Sequence, residues 1–227
     1  MELKILTSNS TRTIIDALIP QYEKLTGNTV SVSADSAKAM TARIREGDTG
    51  DLLILGSGVV AELARDGFIE PESVRPFAGA MIGMGVRKGT AKPDISTADK
   101  LRGTLLAAKS IAHTVHGASG MYIPTLLEKL GIAAEMKPKT VTRPGGYIGV
   151  VVVAGEADIA LQQIPELLAV EGIEVVAPLP DAVQKRMETA SGFFRTSKHP
   201  AETMVMIDFF MSPDHRTLFA SKGLEQA

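Results

Sequence analysis

Leu52-Leu53-Ile54-Leu55 is an unbroken apolar run set between Gly50-Asp51 and Gly56. A strand with one wet face alternates polar and apolar residues. A continuous run of this length belongs to a strand covered on both faces, as in a sheet packed between helices. The rest of the chain obeys the same constraint, because strand-like and helix-like segments alternate. Residues 3–6 form a short strand-like run. Ile14, Ile15, Leu18, Ile19, Tyr22 and Leu25 then recur at helical spacing. Thr11 or Thr13 is placed to cap this helix and Gly27 to end it, and Pro20 predicts a kink. Residues 29–34 alternate like a strand, 37–46 read as a helix stopped by Gly47, and 59–66 as a short helix closed by Gly67.

The alternation then repeats. Residues 79–87 and 104–108 read as strands, 119–130 as a helix and 138–142 as a strand. Residues 146–154 suit a helix by position, although Val150 to Val153 favour strand by propensity. Residues 158–161 read as a strand, 165–170 as a helix and 173–177 as a strand. A strand at 192–195 and helices at 200–211 and 213–222 complete the chain. Strands alternating with helices imply parallel sheets covered on both faces.

Composition removes several chemistries. The 227 residues contain no cysteine, which excludes disulfides, thiolate metal sites and cysteine nucleophiles. The net charge is −2 with no block of like charge, so neither a nucleic-acid stripe nor a polybasic membrane patch is expected. No apolar stretch is long enough to cross a membrane. Neither a Gly-x-Ser-x-Gly elbow, a Walker motif nor a Gly-x-Gly-x-x-Gly fingerprint opens a helix, so no nucleotide or other cofactor is expected. Residues 1–6 enter the first strand without a signal-peptide pattern. The expected location is periplasmic if an export segment was removed, and cytoplasmic if the chain is complete as written.

In open α/β sheets, ligands bind beyond the carboxyl ends of the strands, where unpaired N–H groups and the positive ends of helix dipoles collect. Five turns of this kind stand out. Thr7-Ser8-Asn9-Ser10-Thr11-Arg12 carries five neutral hydrogen-bonding side chains ahead of a helix, and reads either as ordinary capping or as a small-anion cradle. In Asp35-Ser36-Ala37-Lys38, Ser36 can cap a helix. Lys38 is a first-turn cation that opposes the helix dipole, being either a ligand contact or a solvated lysine. In residues 113–122, Ser119 and Gly120 introduce a helix, and His113 and His116 lie three apart without an evident third metal ligand; no metal is expected. Arg143-Pro144-Gly145-Gly146-Tyr147 offers close backbone approach and a guanidinium suited to a carboxylate, against the alternative of a solvent-facing turn. Gln162 and Gln163 end a strand in apolar surroundings and need partners if buried.

At these turns the chain resembles the molybdate-binding branch of the type II periplasmic solute-binding proteins. The resemblance covers nearly the whole length. It rests on the serine-bearing turn at Ser10, then Glu23-Lys24-Leu25-Thr26-Gly27, Ala42-Arg43-Ile44-Arg45-Glu46-Gly47 leading to Gly50-Asp51-Leu52-Leu53-Ile54, Ala118-Ser119-Gly120-Met121-Tyr122, Gly155-Glu156-Ala157-Asp158-Ile159-Ala160, and the ending from Ser197-Lys198-His199-Pro200 through Ser212-Pro213 to Phe219. It implies an α/β fold of two lobes, each a mainly parallel sheet flanked by helices, with a ligand cleft between them and hinge closure around the ligand. Lobe 1 would be 1–80 plus 190–227 and lobe 2 would be 81–189, with crossings near 79–83 and 188–194.

Carried over residue by residue, the resemblance places Ser10 at the family's first-turn serine and Ala37, flanked by Ser36 and Lys38, at its second. Ser119 and Gly120 fall at the third-turn backbone contact, and Gly145 at the fourth. Gln163 stands where family members use a tyrosine. The expected ligand set is therefore Ser8, Asn9, Ser10, Arg12, Ser36, Ala37, Lys38, Ser119, Gly120, Arg143, Gly145, Gly146, Tyr147, Gln162 and Gln163. With a hydroxyl and the tyrosine missing and cations nearby, an organic carboxylate is favoured over a molybdate-type oxyanion. The expected function is solute binding for ABC-type uptake or sensing, by a monomer partnered at most by a permease and not by nucleic acid. The alternative is an enzyme resembling aconitate isomerase, with Lys38, His113 and His116 as its proton-transfer residues. A ligand-sensing half of a transcription regulator is a third use of such a fold.

Overall fold

The computed structural model describes residues 1–227, and in it the apolar run at Leu52 to Leu55 is fully buried within a strand, as a run without alternation requires. The first stretch of chain lays down β1 (Glu2–Ser8), α1 (Asn9–Thr26), β2 (Thr29–Asp35), α2 (Ala37–Arg45), β3 (Leu52–Gly56), α3 (Ser57–Arg65) and β4 (Arg75–Ala80). The middle stretch supplies β5 (Ile82–Arg87), α4 (Ala98–Ala107), β6 (Ile111–Thr114), α5 (Ala118–Lys129), α6 (Ala133–Met136), β7 (Thr140–Arg143), α7 (Gly149–Val153), β8 (Ile159–Gln163), α8 (Ile164–Leu168) and β9 (Ile173–Pro178). The chain closes with β10 (Met187–Phe193), α9 (Pro200–Phe210), α10 (Arg216–Ser221) and β11 (Leu224–Gln226).

These elements form two units. Unit 1 is Met1–Gly79 with Glu188–Ala227, and unit 2 is Ala80–Met187. Unit 1 holds a six-stranded sheet in the order β11-β4-β10-β3-β1-β2. Strand β1 runs parallel to β2 and β3, and β10 is antiparallel to β3. One face of the sheet packs Leu6, Leu53 and Leu55 against Met40 and Ile44 of α2 and Val60 and Leu63 of α3. Ile14, Ile15, Leu18 and Tyr22 supply the buried stripe of α1, and the Tyr22 ring meets Phe209 and Phe210 of α9. Each such side chain contributes roughly 1.5–3 kcal/mol by leaving water. Pro20 lies inside α1 without dividing it, and Gly27, at φ 71°, ends the helix by donating its N–H to the Glu23 carbonyl at 2.8 Å.

Unit 2 holds a five-stranded sheet in the order β7-β6-β8-β5-β9. Strand β6 is parallel to β7 and β8, whereas β5 is antiparallel to β8 and β9. Its larger core joins Leu101 and Leu105 of α4, Ile123, Leu126 and Leu127 of α5, and Ile111, Met84 and Leu161 of the sheet. The other face packs Ala112 and Ala160 against Ile148, Val151 and Val152 beside α7.

Three expectations are corrected. Residues 104–107 end helix α4 rather than forming a strand. Leu101 and Leu105, four apart, form the buried stripe, and the Thr97 hydroxyl caps the start by accepting the Lys100 N–H at 3.2 Å. The strand lies just beyond, at β6. Residues 79–87 divide at Met81 into β4 and β5, one in each unit's sheet. Antiparallel pairing enters both sheets through β5 and β10, which follow the passages between units instead of a strand–helix–strand crossover. Helix α1 also begins at Asn9, with Ser8 at the cap position in place of Thr11 or Thr13.

At the start of α5, a Cβ on Gly120 would lie 1.8 Å from the Thr114 carbonyl oxygen at the end of β6. Gly120→Ala should therefore cost ~3 kcal/mol of unit 2 stability, at the upper end of overpacking effects. Urea unfolding measures this, and a loss below about 1 kcal/mol would contradict so tight a strand–helix approach.

Candidate functional site

In unit 1 the parallel register sets Ser8 beside Asp35, and Thr7 beside both Ala34 and Ile54. The carboxyl ends of β1, β2 and β3 therefore share one edge, and α1, α2 and α3 all begin there. Four hydroxyls are buried at the first turn. Thr7 Oγ1 lies 2.7 Å from Thr11 Oγ1, and Ser8 Oγ lies 2.9 Å from Thr11 Oγ1 and 3.0 Å from Ser10 Oγ. A hydroxyl has one proton and two acceptor sites, so such a chain can turn its terminal protons toward an incoming acceptor. Ser8 makes no side-chain cap bond to the helix, and the first turn of α1 contains no acid. The first amides of α1 therefore lack a capping side chain.

The second turn differs. Ser36 caps α2 by accepting the Ala39 N–H at 3.3 Å, and Asp35 Oδ1 accepts the Ser36 N–H at 2.7 Å. Asp35 and Ser36 thus take up part of this helix start themselves. Ala37 opens α2, and Lys38 is exposed and free of ion pairs. The third turn, at Gly56-Ser57, starts α3 with neither a side-chain cap bond nor a first-turn acid.

In unit 2 the register sets Thr114 beside Arg143, and Ala112 beside Ala160, so the ends of β6, β7 and β8 also share an edge. Helix α5 begins after Gly117, which offers no side chain for capping, and its first turn has no acid. The hydroxyls of Ser119 and Thr114, each 1% exposed, have no hydrogen-bond partner. Buried polar groups without partners are uncommon and call for an explanation. Gly117 and Gly120 press against Thr114 so closely that a Cβ on either would come within 2.6 Å of its hydroxyl oxygen. Glycine is thus required where the helix start meets the strand end.

The turn after β7 is fastened from β8. Gln162 Oε1 accepts the Ile148 N–H and its Nε2 donates to the Gly146 carbonyl, both at 2.8 Å. Gly146 takes φ 82°, which suits glycine. Gln163 Nε2 donates to Glu166 Oε2 at 3.2 Å. Both glutamines are buried, and Gln162 holds the segment that contains Gly145, Gly146 and Tyr147.

The expected residues separate into groups. Ser8, Asn9 and Ser10 cluster at one edge of unit 1, with Ser36, Ala37 and Lys38 on the adjacent strand end. Ser119, Gly120, Gly145, Gly146, Tyr147, Gln162 and Gln163 lie at the corresponding edge of unit 2. Two cations are engaged elsewhere. Arg12 Nε reaches both oxygens of Asp16 at 2.7 and 2.8 Å, and its Nη1 donates to the Val32 carbonyl. Arg143 pairs with Glu156 and donates to the Thr142 carbonyl, its side chain 42% exposed. His113 is buried, and its Nδ1 lies 2.9 Å from the Thr114 carbonyl oxygen. A carbonyl only accepts, so Nδ1 carries the proton and Nε2 is left as an acceptor. Burial pushes this imidazole below its usual pKa, with the Thr114 bond opposing. His116 is partly buried and donates its backbone N–H to the Pro144 carbonyl.

The expected ligand set left out Thr7, Thr114, Ser57 and Glu166. The first three are hydroxyls at strand ends, a signal present in the sequence but common. Glu166 gave no signal, being an ordinary first-turn acid of a short helix. In the structure it is 5% exposed, and its pKa is pushed up to about 8, mainly by burial, with bonds from Gln163 and Gln162 opposing.

The chain is similar to known proteins over nearly its whole length. Residues 3–225 match the family described as bacterial extracellular solute-binding protein. An aconitate isomerase of a Pseudomonas species is 29% identical over 229 residues, covering 98% of this chain and 87% of that protein. Among solved structures, the periplasmic molybdate-binding protein of Azotobacter vinelandii superposes with a TM-score of 0.81 at 17% identity, covering 98% of each chain. The sulfate-binding protein SubI of Mycobacterium tuberculosis H37Rv gives 0.80 at 17% identity, covering 99% of this chain and 86% of that one.

The folded protein keeps the Glu166 proton up to about pH 8, whereas the unfolded chain releases it near 4.5. The stabilisation is complete below the unfolded value and is lost as pH rises through the folded one. The melting temperature should therefore fall between pH 5 and pH 8, and Glu166→Gln should flatten that fall. Parallel slopes for the two proteins in a pH series of thermal melts would contradict the assignment.

Proposed function

We propose that this chain, which belongs to the bacterial extracellular solute-binding proteins, binds a small organic anion, a di- or tricarboxylate, through amide and hydroxyl donors at its strand-to-helix turns. The observation that carries this reading is the state of the helix starts. Helices α1, α3 and α5 begin at strand ends with no side-chain cap bond and no first-turn acid. Helix α4, whose start is not at those edges, has both a Thr97 cap and Asp99. Leaving caps and acids out costs helix stability of about 1 kcal/mol each, and it is offset where an anion takes the free N–H groups.

The buried, unpartnered hydroxyls of Ser119 and Thr114 stand beside one such start and supply further donors without net charge. The molybdate- and sulfate-binding relatives share the fold, which makes oxyanion recognition available to this architecture. A carboxylate is favoured here for two reasons. Lys38 is a cation without a partner at the second turn, and the relative at 29% identity is named for a tricarboxylate substrate. Delivery to an ABC permease by a monomer outside the cytoplasm is the matching cellular role.

One observation favours a second reading, that of an aconitate isomerase. Interconverting cis- and trans-aconitate requires a base to take a proton from one substrate carbon and return it to another. His113 is held neutral by burial, with Nδ1 as donor and Nε2 as acceptor, the form a base needs. Incubation with trans-aconitate, followed by ultraviolet absorbance, decides between the two. Interconversion abolished by His113→Gln supports the enzyme, and no interconversion removes it.

Calorimetric titration with citrate, aconitate, malate, sulfate and molybdate tests the binding function. A carboxylate is expected to bind more tightly than either inorganic anion. At the turn that holds the ligand, Ser10→Ala or Ser119→Ala should weaken binding by about 1–3 kcal/mol, the loss of a hydrogen bond to a charged group. Unchanged affinity in both variants would overturn the donor assignment.

A further inference from the structure

Unit 2 has a second recess, at the opposite edge of its sheet from Thr114 and Gln163. It opens where β5 ends and β8 begins, two strands that pair Val86 with Ile159. Its volume is about 620 Å³, within the range of small-molecule sites. Val86, Pro93, Ala107, Val152 and Ile159 give it apolar walls, and Arg87 and Asp158 line it as charged groups of opposite sign.

Both charged groups are fixed on one side and open on the other. Arg87 donates from Nε and Nη2 to the Val152 carbonyl at 3.3 and 3.1 Å. Gly155, at φ 81°, lies against the guanidinium, and a Cβ there would come within 2.8 Å of Nη2. Nη1 is left over. Asp158 accepts the Lys109 N–H at Oδ2, at 2.9 Å, and its own N–H donates toward Ser110, which leaves Oδ1 over. Arg87 and Asp158 do not pair with each other although they line one cavity. Two opposite charges, each tied to backbone on one side and lining one cavity with apolar walls, match a ligand that carries both counter-charges.

We propose that this recess binds a small zwitterion with an aliphatic side chain, an α-amino acid of the size of valine or leucine. The carboxylate sits against the free edge of the Arg87 guanidinium, whose fork suits two oxygens. The ammonium sits against Asp158, and the side chain covers the Val86, Pro93 and Ile159 wall. A singly charged analogue leaves one of the two protein charges unanswered and is rejected on that account. This site is independent of the helix-start donors on the other edge of the sheet.

Nitrogen-15 NMR titrations test the proposal, with leucine, isocaproate (leucine without its ammonium) and isoamylamine (leucine without its carboxylate) as probes. Leucine should shift the amides of residues 86–91, 104–108 and 155–159 saturably, and each analogue should bind at least tenfold more weakly. Asp158→Asn retains an acceptor for the Lys109 N–H, and should weaken leucine at least tenfold while leaving isocaproate unchanged. Ala107→Phe, which fills the recess, should abolish the shifts in a protein whose other amides are unmoved. No saturable shift with leucine at tens of millimolar, or equal binding of leucine and isocaproate, would overturn the proposal.

Discussion

The first amides of a helix have no partner within it, and something outside must take their hydrogen bonds. Most helices answer this with a side chain from the preceding residues, as Thr97 does for α4. Where β1, β3 and β6 run into helices, this chain omits that answer. Parallel pairing then gathers the omissions. Because β1 is parallel to β2 and β3, and β6 to β7 and β8, the helix starts of each unit lie along a single edge of its sheet. The proposed chemistry depends on that gathering, since one uncapped helix alone is an ordinary defect.

Holding donors open requires support from behind. In unit 1 the Thr7–Thr11–Ser8–Ser10 hydroxyl chain ties the strand end to the helix start, and Thr7 anchors it to the Ile54 carbonyl at 3.2 Å. In unit 2 close packing does the same work. Glycines at 117 and 120 let α5 press onto Thr114, and Gln162 fastens the Gly146–Ile148 turn at both its ends. Glu166 belongs to this support too. It meets Gln163 in surroundings dry enough to keep its proton near neutral pH, a cost in stability that grows as the medium becomes alkaline.

Much of this was legible in the residues. The unbroken run at Leu52 to Leu55 gave a strand buried on both faces, and the hydroxyl-rich turn at Thr7 to Thr11 was visible because five polar side chains precede a helical stripe. The paired glycines at 145 and 146 marked the turn that the structure bends through Gly146. What remained hidden was partnership. Arg12 and Asp16 lie four apart on α1, a local pairing that was readable but went unread, whereas Arg143 and Glu156 are brought together only by the fold. The antiparallel direction of β5 and β10 was hidden for a similar reason, since it follows from where the chain passes between units and not from any residue pattern. A short window at 104–108 read as strand because its apolar residues were considered without Leu101, one turn earlier.

The most direct measurement of the central claim is a proton–nitrogen NMR titration with the tightest-binding carboxylate, read at the amides of Ser10, Thr11, Ser119 and Gly120. Hydrogen bonds from open helix starts to an anion should move the amides that hold it downfield along a saturation curve. Amides that all stay in place while the ligand binds would contradict it.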